Sequence, residues 1–488
     1  MKKKGGILMK QTDWKILYAS YHGVAKRAVQ LLSREAGGLI IREPEVYSIY
    51  VLPCEPEGSD LSKNAFFVGC YADSPAIRSF VGAEEIPEDG FLVRVVENPS
   101  DPEGRFVILT AHTEKELYYA VVSFLDDYIP AFAPDHCPNP MPDAIFDKPL
   151  PPFSYTESPA FSTRSVFTWG HSFNDYRAYI ENMARMKLNE LIVWNDYLPL
   201  NIDDIIEYAH SFGIRVILGY SWGWREISNK AEVITEEELV ALREKVVTQY
   251  RDVYSRTNCD GIYFQSFTER KEEIVSGKPI ARIVTEFVND AAAALFAIKP
   301  DLRLVFGLHA TSVKGWLSEI ANVDPRIEIL WEDCGAFPYS YSSSVPKPDA
   351  FEETLEFTEK LLTLRGGTGV GLVFKGVMML DWGRFAMQRG PYIMGDNAGR
   401  IAAHDRRIRG NAWRRYAADW TLSGAWAHKL LAFVREHKKS EVNICLAGTF
   451  DGGIYLPEAL AAQMLRRPYE SFDTTLRRVM RRSSLTVD

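Results

Sequence analysis

Short continuous apolar runs alternate with longer amphipathic stretches through the middle of the chain. Continuous runs are typical of strands buried on both faces of a parallel sheet, and seven lie at residues 165–169, 190–194, 215–220, 261–267, 302–309, 327–331 and 369–380. Between them, apolar positions three and four residues apart predict helices, for example at 175–187, 203–212 and 283–298. This strand-then-helix rhythm, with no glycine-rich phosphate loop after its first strand, predicts a (β/α)8 TIM barrel. The eighth strand is less defined, and residues 442–447 are the candidate.

The first 150 residues predict a separate, two-layer α/β domain. Strand-like runs lie at 47–52, 65–69, 91–96 and 106–110, and helical patterns lie at 23–35 and 113–128. Residues 135–159 contain seven prolines. Because proline fixes φ and lacks an N–H donor, this stretch is expected to be an extended connector rather than helix or sheet. We therefore expect three regions: an α/β domain with its connector (1–150), a barrel (160–395) and a mainly helical C-terminal region that completes the barrel (396–488).

Composition narrows the classes of partner and cofactor. The chain has 488 residues and a formal charge of −9. Its two basic stretches, 400–415 and 466–482, are interpreted as a solvated helix face and a frayed tail, so no nucleic-acid partner is predicted. The six cysteines form no C-x-x-C pair, and neither a metal nor a cofactor is predicted. No apolar run is long enough for a membrane span, and no signal peptide is recognised, so a cytoplasmic location is expected. The oligomeric state, a homodimer included, is left open.

Polar and aromatic residues gather just after the predicted strands, where (β/α)8 barrels hold their active sites. Flat aromatic rings match the apolar face of a sugar ring, and carboxylates and amides bind its hydroxyls. The pattern therefore predicts a carbohydrate site, although each tryptophan could instead cap the barrel core and each histidine could be a core or rim residue. The candidate binding residues are Trp169, His171, Trp194, Asn195, Asp196, Tyr220, Trp222, Trp224, Arg225, Gln265, His309, Trp331, Lys375, Trp382 and Arg384.

Glycoside hydrolysis needs two carboxyl groups on either side of the scissile bond. Glu269, which closes the stretch GIYFQSFTE, is the first candidate for the general acid, although it could instead pair with Arg270. Glu332 and Asp333 are adjacent, so in an extended strand only one is expected to face the site. The opposite carboxylate is predicted to be Asp333 or Asp381, with Glu332 as the remaining candidate.

The front of the chain resembles a domain of known glycosidases. It reads FFVGCYADSP, then GFLVRVVENP, then RFVILTAHTEKELYYAVVSFLDDYIP. These stretches resemble the small α/β domain that precedes the barrel in β-N-acetylhexosaminidases of glycoside hydrolase family 20 and in α-glucuronidases of family 67. The resemblance covers roughly residues 40–395 and is that of a distant relative.

The resemblance implies a barrel glycosidase. In the hexosaminidase pattern, an adjacent Asp-Glu pair ends the fourth strand, but Thr268 precedes Glu269 here, which puts substrate-assisted catalysis in doubt. The α-glucuronidase pattern implies an inverting enzyme with a Glu acid after a middle strand and base carboxylates on later strands. A uronate substrate would also need a cation, for which the candidates are Arg225, Lys375 and Arg384.

Three functions remain open from the sequence. The first is an exo-acting glycoside hydrolase. The second is a non-catalytic carbohydrate-binding protein on the same barrel. The third is a barrel enzyme of different chemistry, such as a lyase or a metal-dependent hydrolase, and the lack of a His-x-His motif after the first strand disfavours its metal-dependent form.

Overall fold

The computed structural model describes residues 12–41, 50–61, 63–132, 142–169, 174–195, 197–333, 348–374, 391–395, 400–448 and 452–486. The chain divides into two compact units. One comprises Met1–Ser158 with Arg481–Ser483, and the other Pro159–Met480 with Ser484–Asp488.

The first unit contains a six-stranded mixed sheet in the order β2-β1-β3-β5-β4-β6, in which β4 pairs antiparallel with both neighbours and the other pairs are parallel. Glu114 joins its two longer helices, because its carboxylate accepts the N–H groups of Val24 and Ala25 at the start of α1, at 2.8 and 3.2 Å. The elements are β1 Trp14–Tyr18, α1 Gly23–Ile40, β2 Cys54–Pro56, β3 Asn64–Cys70, α2 Pro75–Arg78, β4 Phe91–Asn98, β5 Asp101–Ala111, α3 Glu114–Ser123, α4 Ile129–Ala131 and β6 Phe153–Glu157.

Two sequence predictions for this unit are corrected. The strand expected at 47–52 is not found at residues 50–52, and the strand in this region is Cys54–Pro56; residues 47–49 lie outside the described ranges. The proline-rich connector also contains regular structure, a 3₁₀ helix at Pro142–Asp147 and strand β6. Strand β6 can form because residues 153–157, between Pro152 and Pro159, contain no proline and therefore keep every N–H donor that an edge strand needs.

The second unit is a closed barrel of eight parallel strands in the order β7-β8-β9-β10-β13-β14-β15-β16. The (β/α)8 prediction is confirmed, and the eighth strand is the candidate at 442–447, which pairs with β15 on one side and β7 on the other. The strands are β7 Arg164–Trp169, β8 Glu190–Trp194, β9 Arg215–Ser221, β10 Gly261–Gln265, a hairpin of β11 Ile274–Val275 and β12 Lys278–Pro279, β13 Leu304–His309, β14 Ile327–Asp333, β15 Val370–Phe374 and β16 Val442–Ala447.

Helices follow most of these strands. The sequence sets their starts locally: the Asp175 side chain accepts two N–H groups of the first turn of α5, and Thr235 and Glu238 form a capping box at α7. None of the described helices is long and apolar enough to cross a membrane. The helices are α5 Tyr176–Arg185, α6 Ile202–His210, α7 Glu236–Asp252, α8 Ile280–Ile298, α9 Leu317–Ile320, α10 Pro348–Thr363, α11 Arg400–His437, α12 Leu456–Arg466 and α13 Phe472–Met480.

A buried polar network occupies the amino-terminal end of the barrel. The Glu190 carboxylate, fully buried at the first residue of β8, accepts hydrogen bonds from Ser165 at 2.9 Å and from Arg215 at 3.0 Å and forms an ion pair with Arg303. Arg303 also reaches Glu328 at 2.7 Å. Burial alone would raise the pKa of the Glu190 carboxyl, but Arg303 and Arg215 outweigh burial and lower that pKa. The charge of Glu190 is therefore compensated within the barrel.

Candidate active site

The opposite, carboxyl-terminal end of the barrel brings two of the predicted carboxylates together. The interior is apolar below this end, with a core formed by Phe167, Ile192, Trp194, Ile217, Tyr263, Val305, Leu330, Val373, Cys445 and Ala447. Side chains alternate along a strand, so Gln265 follows Tyr263 into the interior and Glu332 follows Leu330. Polar groups thus begin where the apolar core ends.

Glu332 is held by neutral donors. Its side chain is only 6% exposed, and its Oε1 atom accepts hydrogen bonds from the Tyr263 hydroxyl and the Gln265 amide. The pairing of β13 with β14 shifts at this point, since Leu308 lies opposite Trp331 but His309 lies opposite Asp333. Glu332 is therefore the extra residue of a β-bulge, a feature that often re-aims a side chain beside an active site.

Glu269 lies four residues beyond Gln265, in the loop after β10. Its Oε2 atom accepts a hydrogen bond from the indole N–H of Trp224 at 2.5 Å, and its side chain is 53% exposed. The alternative ion pair with Arg270 is not observed, because the Arg270 guanidinium lies 3.7 Å from Glu272 and donates to the Ala231 carbonyl. Glu269 therefore combines a fixed orientation with access to solvent.

His309 lies close to both carboxylates. Its Nε2 atom is 4.0 Å from Glu269 Oε2 and 3.7 Å from Glu332 Oε2. The distance between Glu269 Oε2 and Glu332 Oε2 therefore cannot exceed the sum of these two distances. That bound is shorter than the upper limit of about 9.5 Å between the carboxyl groups of glycosidases. The two carboxylates are therefore no further apart than the carboxyl pair of a glycosidase.

Aromatic rings lie beside the pair. Trp194 packs edge-to-face against Trp224, with ring centroids 6.0 Å apart, and against Tyr263 at 5.5 Å. The exposed Arg225 places its guanidinium 5.8 Å from the Trp224 ring centroid. An indole surface and a cation thus accompany Glu269.

A segment from the loop after β15 is fixed next to β8. The Asn195 amide donates to the Tyr392 hydroxyl at 2.8 Å. Asn201 both donates to the Met394 carbonyl and accepts from its N–H, each at 2.9 Å. Asn195 is therefore the predicted binding residue that anchors this segment, and Tyr392 is buried beside it.

Three predicted binding residues face away from the interior, and the structure corrects their assignment. Tyr220, Trp222 and Trp331 are fully buried. Tyr220 stacks on Tyr254 with centroids 4.6 Å apart, Trp222 stacks on Phe264 at 3.7 Å, and Trp331 packs against Phe357 of α10. Along the chain these residues alternate with Gly219 and Glu332, which face the barrel interior. Their side chains therefore face the helix layer. They belong to the core between the strands and helices.

Several other predicted residues lie outside what the structure describes. For Trp169 and Asp333 only the backbone is described: it pairs with Trp194 and His309, respectively. The remaining predicted site residues outside the described ranges are His171, Asp196, Lys375, Asp381, Trp382 and Arg384.

Sequence reasoning missed Tyr263, the residue that contacts Glu332 from within the barrel. The sequence could have indicated it, because Tyr263 lies two residues before the selected Gln265 and therefore faces the same side of the strand. Tyr392 was also missed, since it lies in a loop with no periodic pattern.

The buried Cys445 lies near the carboxylates. Burial raises the pKa of its thiol well above the usual value, and Glu190, Glu332 and Glu328 raise it further. This thiol therefore stays protonated at neutral pH and is a poor nucleophile. Among the described residues, no three His, Cys, Asp or Glu side chains are grouped so that they could hold a metal ion.

No protein-family model matches the chain, and no curated protein matches it. Among solved structures, a GH115 4-O-methyl-α-glucuronidase with specificity for decorated arabinogalactans is 11% identical, with a TM-score of 0.43 over 88% of this chain and 62% of that one. A GH138 enzyme targeting pectin rhamnogalacturonan II is 9% identical, with a TM-score of 0.42 over 87% and 55%. A β-N-acetylhexosaminidase is 11% identical, with a TM-score of 0.36 over 53% and 69%. The chain thus spans less than two thirds of the first two proteins, and the structural neighbours are distant glycoside hydrolases.

Proposed function

We propose that the chain is a glycoside hydrolase in which Glu269 and Glu332 act on opposite sides of a glycosidic bond. The observation that carries the proposal is the approach of both carboxylates to the single Nε2 atom of His309. Glycoside hydrolysis requires two carboxyl groups close together, and barrel enzymes hold their active sites at the carboxyl-terminal end of the strands.

The surroundings of the two carboxylates favour different roles. Hydrogen bonds donated to a carboxylate stabilise its charged form, and Glu332 accepts two of them. Burial of this side chain opposes the charge, and on the strength of the two hydrogen bonds we assign Glu332 as the ionised group, acting as base or nucleophile. Glu269 is half-exposed and held by one indole N–H. It can reach the leaving-group oxygen and is assigned as the general acid.

The substrate class is proposed from the side chains beside Glu269. Trp224, which packs edge-to-face on the buried Trp194, offers a partly exposed indole surface, which suits the apolar face of a sugar ring. Arg225 over Trp224 is a cation that could bind a uronate carboxylate. We therefore propose a terminal, acidic sugar as the first substrate to test. Exo action and a cytoplasmic location stay predictions.

The test is a screen of aryl glycosides and alkyl glycosides, uronides included, with wild type and Glu269→Gln. We expect the variant to lose roughly 10²–10⁴-fold in kcat/KM on alkyl glycosides, because their poor leaving groups need a general acid. The loss should be far smaller with nitrophenyl glycosides, whose leaving group departs without protonation.

The matched control is Glu272→Gln, which changes an exposed glutamate of the same loop and should retain wild-type rates. Equal losses with both leaving groups would remove Glu269 from the acid role. Sugar binding without turnover by the wild type would favour the non-catalytic carbohydrate-binding function.

A further inference from the structure

Two glycines clear a space inside the barrel for one tyrosine ring. A Cβ atom on Gly307 of β13 would overlap the Tyr263 hydroxyl and lie 2.8 Å from its Cε2 atom. A Cβ atom on Gly219 of β9 would lie 2.8 Å from the Trp194 ring and 3.1 Å from Tyr263 Cδ1. Neither glycine has a positive φ, so neither is required by its backbone conformation. Both are therefore explained by the room that the interior rings need.

The Tyr263 ring is fixed in this space. It is fully buried and packs against Phe167 at 5.0 Å and against Trp194 at 5.5 Å between ring centroids. Because the ring cannot turn away without displacing these neighbours, the position of its hydroxyl is set by the barrel core.

The fixed hydroxyl belongs to a short hydrogen-bond chain that ends on Glu332. The Gln265 amide donates to the Tyr263 hydroxyl at 2.8 Å, and both groups donate to Glu332 Oε1. A donor that itself accepts a hydrogen bond becomes a stronger donor. With Oε1 held in this way, Oε2 is the atom that lies nearer to His309, at 3.7 Å.

We propose that Tyr263 is a positioning residue for Glu332, and that Gly307 is small so that the Tyr263 hydroxyl can reach this carboxylate. The chain Gln265–Tyr263–Glu332 keeps Glu332 ionised and directs Oε2 toward the reacting carbon. The inference rests on the proposed function for its catalytic meaning, but the effect on Glu332 itself does not depend on any substrate. Among the described residues, the other titratable groups near Glu332 are His309, Glu269 and Cys445.

The test uses Tyr263→Phe and Gly307→Ala in the full chain. Removing one donor from a charged acceptor makes the carboxylate hold its proton more tightly. We expect the acidic limb of the kcat/KM profile to move to higher pH by roughly one unit or more in both variants. A ring that only filled the core would leave this limb in place, because phenylalanine preserves its volume.

The controls make the same chemical changes elsewhere in the barrel. Tyr220→Phe removes a buried hydroxyl that donates to the Val246 carbonyl at 3.1 Å. Gly371→Ala adds a methyl group 2.7 Å from Leu330 inside the barrel. Both substitutions can lower the stability of the protein. The acidic limbs of their kcat/KM profiles should nevertheless superimpose on that of the wild type.

A second readout works without substrate. The carbonyl stretch of protonated Glu332 is identified by infrared difference spectroscopy as the band that Glu332→Gln lacks, and its titration is followed in wild type and Tyr263→Phe. A titration that moves to higher pH in Tyr263→Phe supports the inference. An unchanged titration overturns it whatever the activity. A shifted titration in a protein that hydrolyses no glycoside would instead overturn the proposed function and leave the positioning of Glu332 intact.

Discussion

Glu332→Gln is expected to lower kcat/KM by roughly 10²–10⁴-fold with alkyl and aryl glycosides alike. Glutamine keeps the shape of the side chain and its contact with Tyr263, but it can neither accept a proton from water nor attack the anomeric carbon. The step that is lost occurs at the sugar rather than at the leaving group. The loss should therefore be independent of the leaving group, unlike that of Glu269→Gln.

Glu328→Gln is the matched control for this variant. It makes the same substitution on the same strand, β14, but in the polar network at the opposite end of the barrel. After correction for the folded fraction, it should turn over substrate at the wild-type rate. Activity of Glu332→Gln within a few-fold of the wild type would remove Glu332 from the mechanism and direct the search for the opposite carboxylate to Asp333 and Asp381.

Glu190→Gln is expected to cost about 3–5 kcal/mol in the free energy of unfolding at neutral pH. The glutamate is fully buried and joins β8 to Arg215 and Arg303. Replacing it with a neutral amide leaves two guanidinium groups without that negative partner. Urea denaturation, followed by circular dichroism, measures the difference.

The pH dependence of this effect has a definite sign. Because the folded protein lowers the pKa of Glu190, the ionised group stabilises the fold above the pKa of an unfolded glutamate, about 4.3. That contribution is lost as the pH falls toward the folded value, so the gap between wild type and Glu190→Gln should narrow below about pH 4. The exposed partner of Lys63, Glu103, provides the control, since Glu103→Gln should change stability little at either pH. A gap that stayed constant with pH would contradict the assigned role of the Glu190 charge.

The sequence was sufficient to predict the barrel, because parallel strands that are buried on both faces are recognisable as continuous apolar runs. The least defined of the eight, Val442–Ala447, was a candidate from the sequence, and its pairing with β7 and β15, which joins residues far apart in the chain, confirms it. Strand β6 was missed because the neighbouring prolines dominated the interpretation of a five-residue edge strand.

The candidate site was only partly predictable. Glu269, His309 and Trp224 were selected because they follow strands, and the structure brings them together. Tyr220, Trp222 and Trp331 satisfied the same criterion. Because side chains alternate along a strand, however, they face the helices. The sequence left Glu332 and Asp333 as alternatives, because the residues before them, Ile329, Leu330 and Trp331, are all apolar and do not mark the inner face. A bulge at this position also shifts the register between β13 and β14. Such a shift is a property of the paired strands and is not visible in either one.

The most direct measurement of a shared site is a double-mutant cycle on an alkyl glycoside, using Glu269→Gln, Glu332→Gln and the combined variant. Residues that act on the same bond in one transition state give strongly non-additive losses. We expect the combined variant to be about as slow as the slower single variant. Losses in kcat/KM that multiply, as for two independent positions, would contradict the pairing of Glu269 and Glu332 across one scissile bond.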